Sequence, residues 1–350
     1  MAVKILSVDT AKAERQNVKE LGTFIYGGKE YTVEKNIVNG EMDVLELEKP
    51  IGEMITTADG QQAMLRKVVL DVELGREAVP VLYKPIYDTL QDRNFPEVFD
   101  AKWAQWGTVV FLEHFEGMEV RFGKLAAEQG PIARLRTFAA GFEYTEDMVE
   151  YNQTFNMEIL NRAMGEAYNA LLNHLHFAPI LDYDYQVTNQ TPASTEYDDE
   201  AYAMGPAQAR IMNIRQTLID AVKASREAKR PGSILLINSA REQDILEAMQ
   251  ARTIDATPYP AVTGISQVIM YDGWDITVGE KAYNYAGVDP AKAYLIRPKQ
   301  SMKELIKHDL LVDSAKSDLS RLVEEQIVGR ARRGVFAAID ESVEEITLPV

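Results

Sequence analysis

An apolar stripe at helical spacing is the feature that most constrains this chain. Met148, Tyr151, Phe155 and Ile159 stand three, four and four residues apart, and Leu160, Met164, Tyr168, Leu171, Leu172 and Leu175 continue the stripe. Such periodicity marks a helix with one buried face. It predicts one helix from about Glu143 to about His176, ended by Pro179, which cannot continue the hydrogen-bond ladder. At about 1.5 Å per residue the rod is on the order of 50 Å long, well beyond an average globular helix.

The segment before the rod reads as strand, long loop, strand. Thr108 to Phe115 alternates and is rich in β-formers; Gly117, Gly123 and Gly130-Pro131 punctuate an excursion; Ile132 to Phe138 returns. Upstream, Thr23 to Tyr26 and Glu30 to Glu34 flank Gly27-Gly28, and Asn39-Gly40 precedes the alternating Met42 to Glu48. The first is a hairpin signal and the second a turn signal, so residues 1–106 read as an N-terminal arm and β-rich lead-in. Downstream, Pro206 opens a helix closed by Pro231-Gly232, and Ser233 to Ile237 reads as a buried strand. Ser239 and Glu242 have the spacing of a capping box. Asp272-Gly273 between Val268–Tyr271 and Trp274–Val278 predicts a further hairpin.

Composition narrows the function classes. The net charge is −17 with a pI near 4.8, which argues against a broad grip on nucleic acid, because neutralising phosphates needs clustered Lys and Arg. With no cysteine, disulfides and thiolate metal sites are excluded. The start lacks the apolar run of a signal peptide, and no run reaches the roughly 18 apolar residues of a membrane helix. Synthesis in the cytoplasm, with no membrane partner, is the expectation.

Chemistry-bearing patterns are weak. The four histidines are His114, His174, His176 and His308. His174 and His176, two apart on a helix, point to different faces, and a metal site with Asp182 and Asp184 is the lesser reading beside polar residues at a helix end. Gly22 with Gly28-Lys29, and Gly117 with Gly123-Lys124, have the wrong spacing for a phosphate loop and lack the Ser or Thr that ligates magnesium. No catalytic, cofactor-binding or metal-binding residue is assigned.

The order of elements and three stretches carry a resemblance. GTVVFLEHFEGMEVRFGKLAAEQGPIARLRTFAAGFEYTEDMVEYN, SILLINSAREQDILEAM and LVEEQIVGRARRGVFAAID resemble the major capsid proteins of tailed bacteriophages with the Hong-Kong-97-type fold. The likeness covers roughly Leu82 to Ile346. It implies an α+β capsid fold with an N-terminal arm, an extended β-hairpin loop (107–142), a peripheral domain with the long spine helix (143–182), an axial domain (183–300) and C-terminal strands returning to the peripheral domain (301–350). It implies a self-assembling shell subunit without cofactors, forming hexamers and pentamers of an icosahedral head around double-stranded DNA. Scaffolding, portal and decoration proteins are the implied partners. The expected place is the virion capsid, after assembly in the host cytoplasm.

Subunit contacts are expected from Glu119, Arg121, Lys124 and Glu128 on the extended loop. Arg330, Arg332 and Arg333 form the densest basic cluster, and pairing with a neighbour's carboxylates is favoured over DNA contact. Some relatives join a loop Lys to a neighbour's Asn; Lys124 lies in the matching loop, but Gly329 to Asp340 contains no Asn, so cross-linking is not carried over. Two alternatives remain: an encapsulin-like bacterial compartment and, from another class, a soluble two-domain enzyme.

Overall fold

The structure, a computed structural model, describes residues 4–6, 20–26, 28–34, 37–38, 41–42, 58–100, 132–145, 147, 150–151, 154–197, 205–254, 257–278, 281–318 and 323–349. The chain runs through β1 (Lys4–Leu6), β2 (Glu20–Tyr26), β3 (Lys29–Glu34), β4 (Ile37–Val38), β5 (Glu41–Met42), α1 (Ala58–Ala78), β6 (Asp88–Gln91), β7 (Val98–Asp100), β8 (Ile132–Arg134) and β9 (Arg136–Thr145). Then follow α2 (Thr154–Leu181), β10 (Gln190–Thr191), α3 (Pro206–Glu227), β11 (Ile234–Ile237), α4 (Glu242–Met249), β12 (Arg252–Ile254), β13 (Thr257–Tyr259) and β14 (Gln267–Met270). The last elements are β15 (Gly273–Val278), β16 (Lys281–Ala286), β17 (Lys292–Ile296), β18 (Met302–Asp318), β19 (Val323–Ala337) and β20 (Val343–Thr347).

Two six-stranded sheets organise these elements. The first has the order β1-β14-β11-β17-β20-β10, and both of its faces are buried. Ile234 and Leu236 point to one core with Ile269, Tyr294 and Ile296, whereas Leu235 and Ile237 point to the other with Val268, Ala293 and Leu295. That is why β11 is a continuous apolar run, Ile-Leu-Leu-Ile, instead of an alternating one. One core lies against α3 and α4 through Ile214, Leu218 and Ile245; the other is filled by Tyr168, Leu172, Phe177 and Ile180 of α2. The second sheet has the order β3-β2-β18-β19-β9, with β6 also paired to β18.

The spine helix is present with shifted limits. Glu143 to Thr145 belong to β9, where Glu143 pairs with Gln326 and Tyr144 with Glu325 of β19. The helix begins at Thr154 and carries Pro179 inside its last turn, with Asp182 N–H donating to Ala178 O at 2.9 Å. Its outward face also differs from the expected stripe. Tyr151 and Ile159 are exposed and Leu171 is half-buried, whereas Met157, Met164, Tyr168 and Leu172 are core. The side chain of Phe155 and the residue Met148 lie outside the described set.

The buried seam of α2 is polar where it meets α1. Asn161, Gly165, Asn169 and Asn173 stand four apart, on one face. Asn161 donates to Asp71 Oδ2 at 3.0 Å. Asn169 donates to Arg76 O and Val79 O, both at 2.8 Å, and Asn173 donates to Pro80 O at 2.9 Å while accepting from Leu82 N–H at 3.0 Å. These amides satisfy the backbone groups where α1 ends, a region that would otherwise bury unpaired carbonyls. The lead-in therefore contains a core helix that the β-rich reading of residues 1–106 lacked. Met64, Leu65, Val68, Val69 and Val72 of α1 are all buried.

Local turns follow their residues in part. Gly28, at φ +76°, closes the β2–β3 hairpin, and β4 pairs with β5 across Asn39-Gly40. The Asp272-Gly273 hairpin does not form. Both edges of β14 are taken, by β1 and β11 in parallel, so β15 pairs instead with β16. The capping box is replaced by Asn238, whose side chain accepts from Ala240 N–H at 2.9 Å and starts a short 3-10 turn ahead of α4. The C-terminal strands divide: β18 and β19 join the second sheet, whereas β20 sits between β17 and β10 in the first.

Candidate assembly surface

The three arginines of the basic cluster sit on β19 in alternating directions, as a strand requires. Arg330 and Arg332 are exposed, whereas Arg333 is 3% exposed. Arg333 is therefore corrected as a subunit contact, because it is consumed inside the chain. Its guanidinium pairs with Glu304 and Asp309, and its Nε donates to Tyr168 Oη at 2.9 Å.

Glu304 is the hub of this interior network. Its carboxylate accepts from Tyr83 Oη at 2.6 Å and from Thr89 Oγ1 at 3.0 Å. Tyr168 Oη donates to Asp309 Oδ1 at 2.7 Å, and Arg76 lies 5.2 Å over the Tyr168 ring. Burial pushes the Tyr83, Tyr87 and Tyr168 hydroxyls up, and nearby carboxylates push the same way. For Asp309 burial acts upward, but Arg333 and Arg76 hold its carboxyl well below the usual range. His176 stacks on Tyr83 at 3.4 Å between ring centroids, with Nδ1 2.7 Å from Leu172 O and Nε2 3.5 Å from Glu304 Oε1. Burial lowers its pKa to about 4, against the pull of Glu304, so the ring is neutral near pH 7. The network ties β18, β19 and α2 to the segment after α1.

The outward face of the same ribbon differs in character. Across β18–β19, His308 stands opposite Arg332 and Leu311 opposite Arg330, with register shifts on either side of His308. Arg330 lies 3.5 Å from Asp313 with both side chains well exposed, a pair of little weight in stability. Arg332 has no ion pair with any described residue. Glu119, Arg121, Lys124, Glu128, His114 and the strand expected at Thr108 to Phe115 lie outside the described residues.

The other sequence candidates are dispersed. His174 stacks on Tyr285 at 4.5 Å, on a different face from His176. Lys29 is the first residue of β3, on the exposed side of the hairpin. Among the described residues no three His, Asp or Glu side chains come together as a metal site, and no helix is long and apolar enough to cross a membrane. The surface clefts include one of about 530 Å3, where Lys229, Arg230 and Arg297 face Asp340 and Glu341, and one of about 350 Å3 beside α3. Sequence reasoning missed Glu304 and Asp309, and named His308 only among the four histidines, because the register shifts in β18 conceal which of its residues face β19.

The fold is mixed helix and sheet. Residues 128–299, from just before β8 through the spine helix to the end of β17, match the family described as phage capsid protein. Over those residues, just under half of its length, the chain is similar to phage capsid proteins.

Solved structures similar to it include the virus-like particle from Pyrococcus furiosus, at 10% identity and TM-score 0.48 over 80% of this chain and 98% of that one. The bacteriophage PhiM1 mature capsid is similar at 10% identity and TM-score 0.49, over 76% of this chain and 86% of that one. The holo-SrpI encapsulin complex from Synechococcus elongatus is similar at 7% identity and TM-score 0.43, over 76% and 86%. No curated protein sequence matches this chain.

Proposed function

We propose that this subunit forms hexamers and pentamers that close into an icosahedral phage head around double-stranded DNA. The observation that carries the reading is the position of the family match, which spans the spine helix and most of the first sheet. These are the parts that make a rigid frame. In this reading the extended loop is laid over neighbours, with Glu119, Arg121, Lys124 and Glu128 among its contacts; of the expected 107–142, residues 132–142 instead belong to β8 and β9 and pair with β7 and β19 within the subunit, which leaves 107–131 for the loop. Residues 143–182 with the β18–β19 ribbon form the peripheral domain, and residues 183–300 with β20 form the axial domain at capsomer centres. Arg330 and Arg332 are the outward contacts of the ribbon.

Burying apolar surface between copies, at about 25 cal/mol per Å2, supplies the drive, and the loss of subunit freedom offsets part of it. A separate scaffolding protein, a portal and decoration proteins complete the head, assembled in the host cytoplasm, and the packaged DNA makes no sequence-specific contact. The phage family match favours this reading over an encapsulin-like compartment. Sedimentation of the purified protein, alone and with its scaffold, tests it. Particles of hundreds of copies are expected; a monodisperse monomer under every condition would overturn it.

A further inference from the structure

We infer that the outward face of the β18–β19 ribbon around Arg332 and His308 is a cationic seat for an acidic segment of a second copy of this chain. The inference rests on the shell reading and names residues for one of its contacts. Three separate pieces of chain build the seat. Arg332 comes from β19, Lys307 and His308 from β18, and Arg93 from the turn after β6. Geometry brings these charges together: His308 stands opposite Arg332 across the ribbon, and Lys307 Nζ reaches Phe95 O, two residues from Arg93; in keeping with this, the His308 imidazole is lowered first by partial burial and then by Arg332, Lys307 and Arg93, with Glu30 acting the other way.

The local charges are unequally satisfied. Arg93 reaches Glu30 at 3.0 Å, and Lys307 donates to Phe95 O at 2.7 Å. Arg332 is exposed and lacks an ion pair with any described residue. A local excess of positive charge on a chain of net charge −17 is complementary to the rest of the same molecule. In a shell, every copy presents both the seat and an acidic surface. Such complementarity steers encounter and fixes register more than it adds affinity. A DNA backbone fits less well, because a run of phosphates needs several free cations, whereas Arg93 and Lys307 are already engaged and leave Arg332 to meet a carboxylate.

Three proteins test the inference: the wild type, Arg332→Glu and Lys223→Glu. Lys223 is an exposed lysine on α3, so its reversal changes net charge equally at a distant place. Circular dichroism and thermal melting first establish that each subunit is folded, and Arg332→Gln serves as a gentler second variant. Shell yield is then read by sedimentation and electron microscopy. The wild type and Lys223→Glu are expected to assemble, Arg332→Glu to lose at least about tenfold in yield, and Arg332→Gln to fall between.

Wild-type assembly onset should also slow as salt rises from about 0.1 M to about 1 M, where the screening length drops from about 10 Å to about 3 Å. Wild-type yield with Arg332→Glu would overturn the inference, and a loss confined to genome retention would assign the seat to DNA. Equal loss in Lys223→Glu would mean that net charge, not the seat, governs assembly. Failure of the wild type itself to assemble would overturn the shell reading, and this inference with it.

Discussion

Gly75 of α1 and Gly165 of α2 mark a helix crossing at which backbone touches backbone. A Cβ on Gly165 would fall well under 3.0 Å from Val72 O, and one on Gly75 equally close to Arg162 O. No side chain can retract to make room, so both helices would have to separate. In a free helix Gly→Ala would gain about 1 kcal/mol. Here the sign reverses: Gly165→Ala is expected to destabilise the subunit by roughly 1–3 kcal/mol through overpacking. Urea denaturation of the isolated subunit reads this, and a stabilised variant would show that the crossing is looser than described.

The interior ion network gives a second prediction. Removing Arg333 leaves Glu304 buried without its cation, and breaking such a pair costs about 3–5 kcal/mol. Arg333→Met should show that loss in denaturant unfolding. Adding Glu304→Gln should restore part of it, because the amide oxygen still accepts from Tyr83 and no buried carboxylate is stranded. A loss under about 1 kcal/mol in the single variant would mean that the pair is solvated.

These two features show where the sequence is legible and where it is not. The spine helix, α3, β11 and the β2–β3 hairpin follow from period, proline and glycine signals carried by neighbouring residues. The helix α1 does not, because its Val68-Val69 core and its partners on α2 acquire meaning only once Gly75 meets Gly165. The Asp272-Gly273 turn misled for a similar reason: a local hairpin signal was overridden by the parallel neighbours of β14. On β19, simple alternation separates Arg330 and Arg332 from Arg333. Its partners Glu304 and Asp309, 29 and 24 residues away in sequence, emerge only when β18 is threaded past its register shifts.

The pH dependence of stability carries a signature of His176. Its folded pKa, about 4, lies below the unfolded value of about 6.5. The folded state thus binds its proton less readily. The stability from keeping the ring neutral is fully present above pH 6.5, is lost as pH falls toward 4, and amounts to roughly 3 kcal/mol. His176→Gln should flatten the slope of unfolding free energy between pH 6.5 and 4 relative to wild type; His308 remains in both proteins and cancels. Identical slopes would place the titration elsewhere.

The proposed reading has the loop between Gly117 and Pro131 ordered by neighbours. Deleting Met118 to Gln129 is expected to leave a folded, soluble subunit with a melting temperature within about 1 °C of wild type, which corresponds to under about 1 kcal/mol for a chain of this length. The deleted protein should fail to build stable shells. Normal particles from it, seen by negative-stain microscopy, would remove the loop from the account of assembly.

In the proposed reading this chain is a shell subunit whose two sheets and spine helix form the frame and whose outward faces join copies. A cryo-electron-microscopy reconstruction of the assembled protein tests it most directly. The account predicts a closed shell of six-fold and five-fold clusters, with α2 and both sheets recognisable in every copy, Arg333 inside the subunit, and Arg332 against a neighbour's carboxylates. A particle with no such clusters, or a protein that stays monomeric with its ribbon facing solvent, would contradict it.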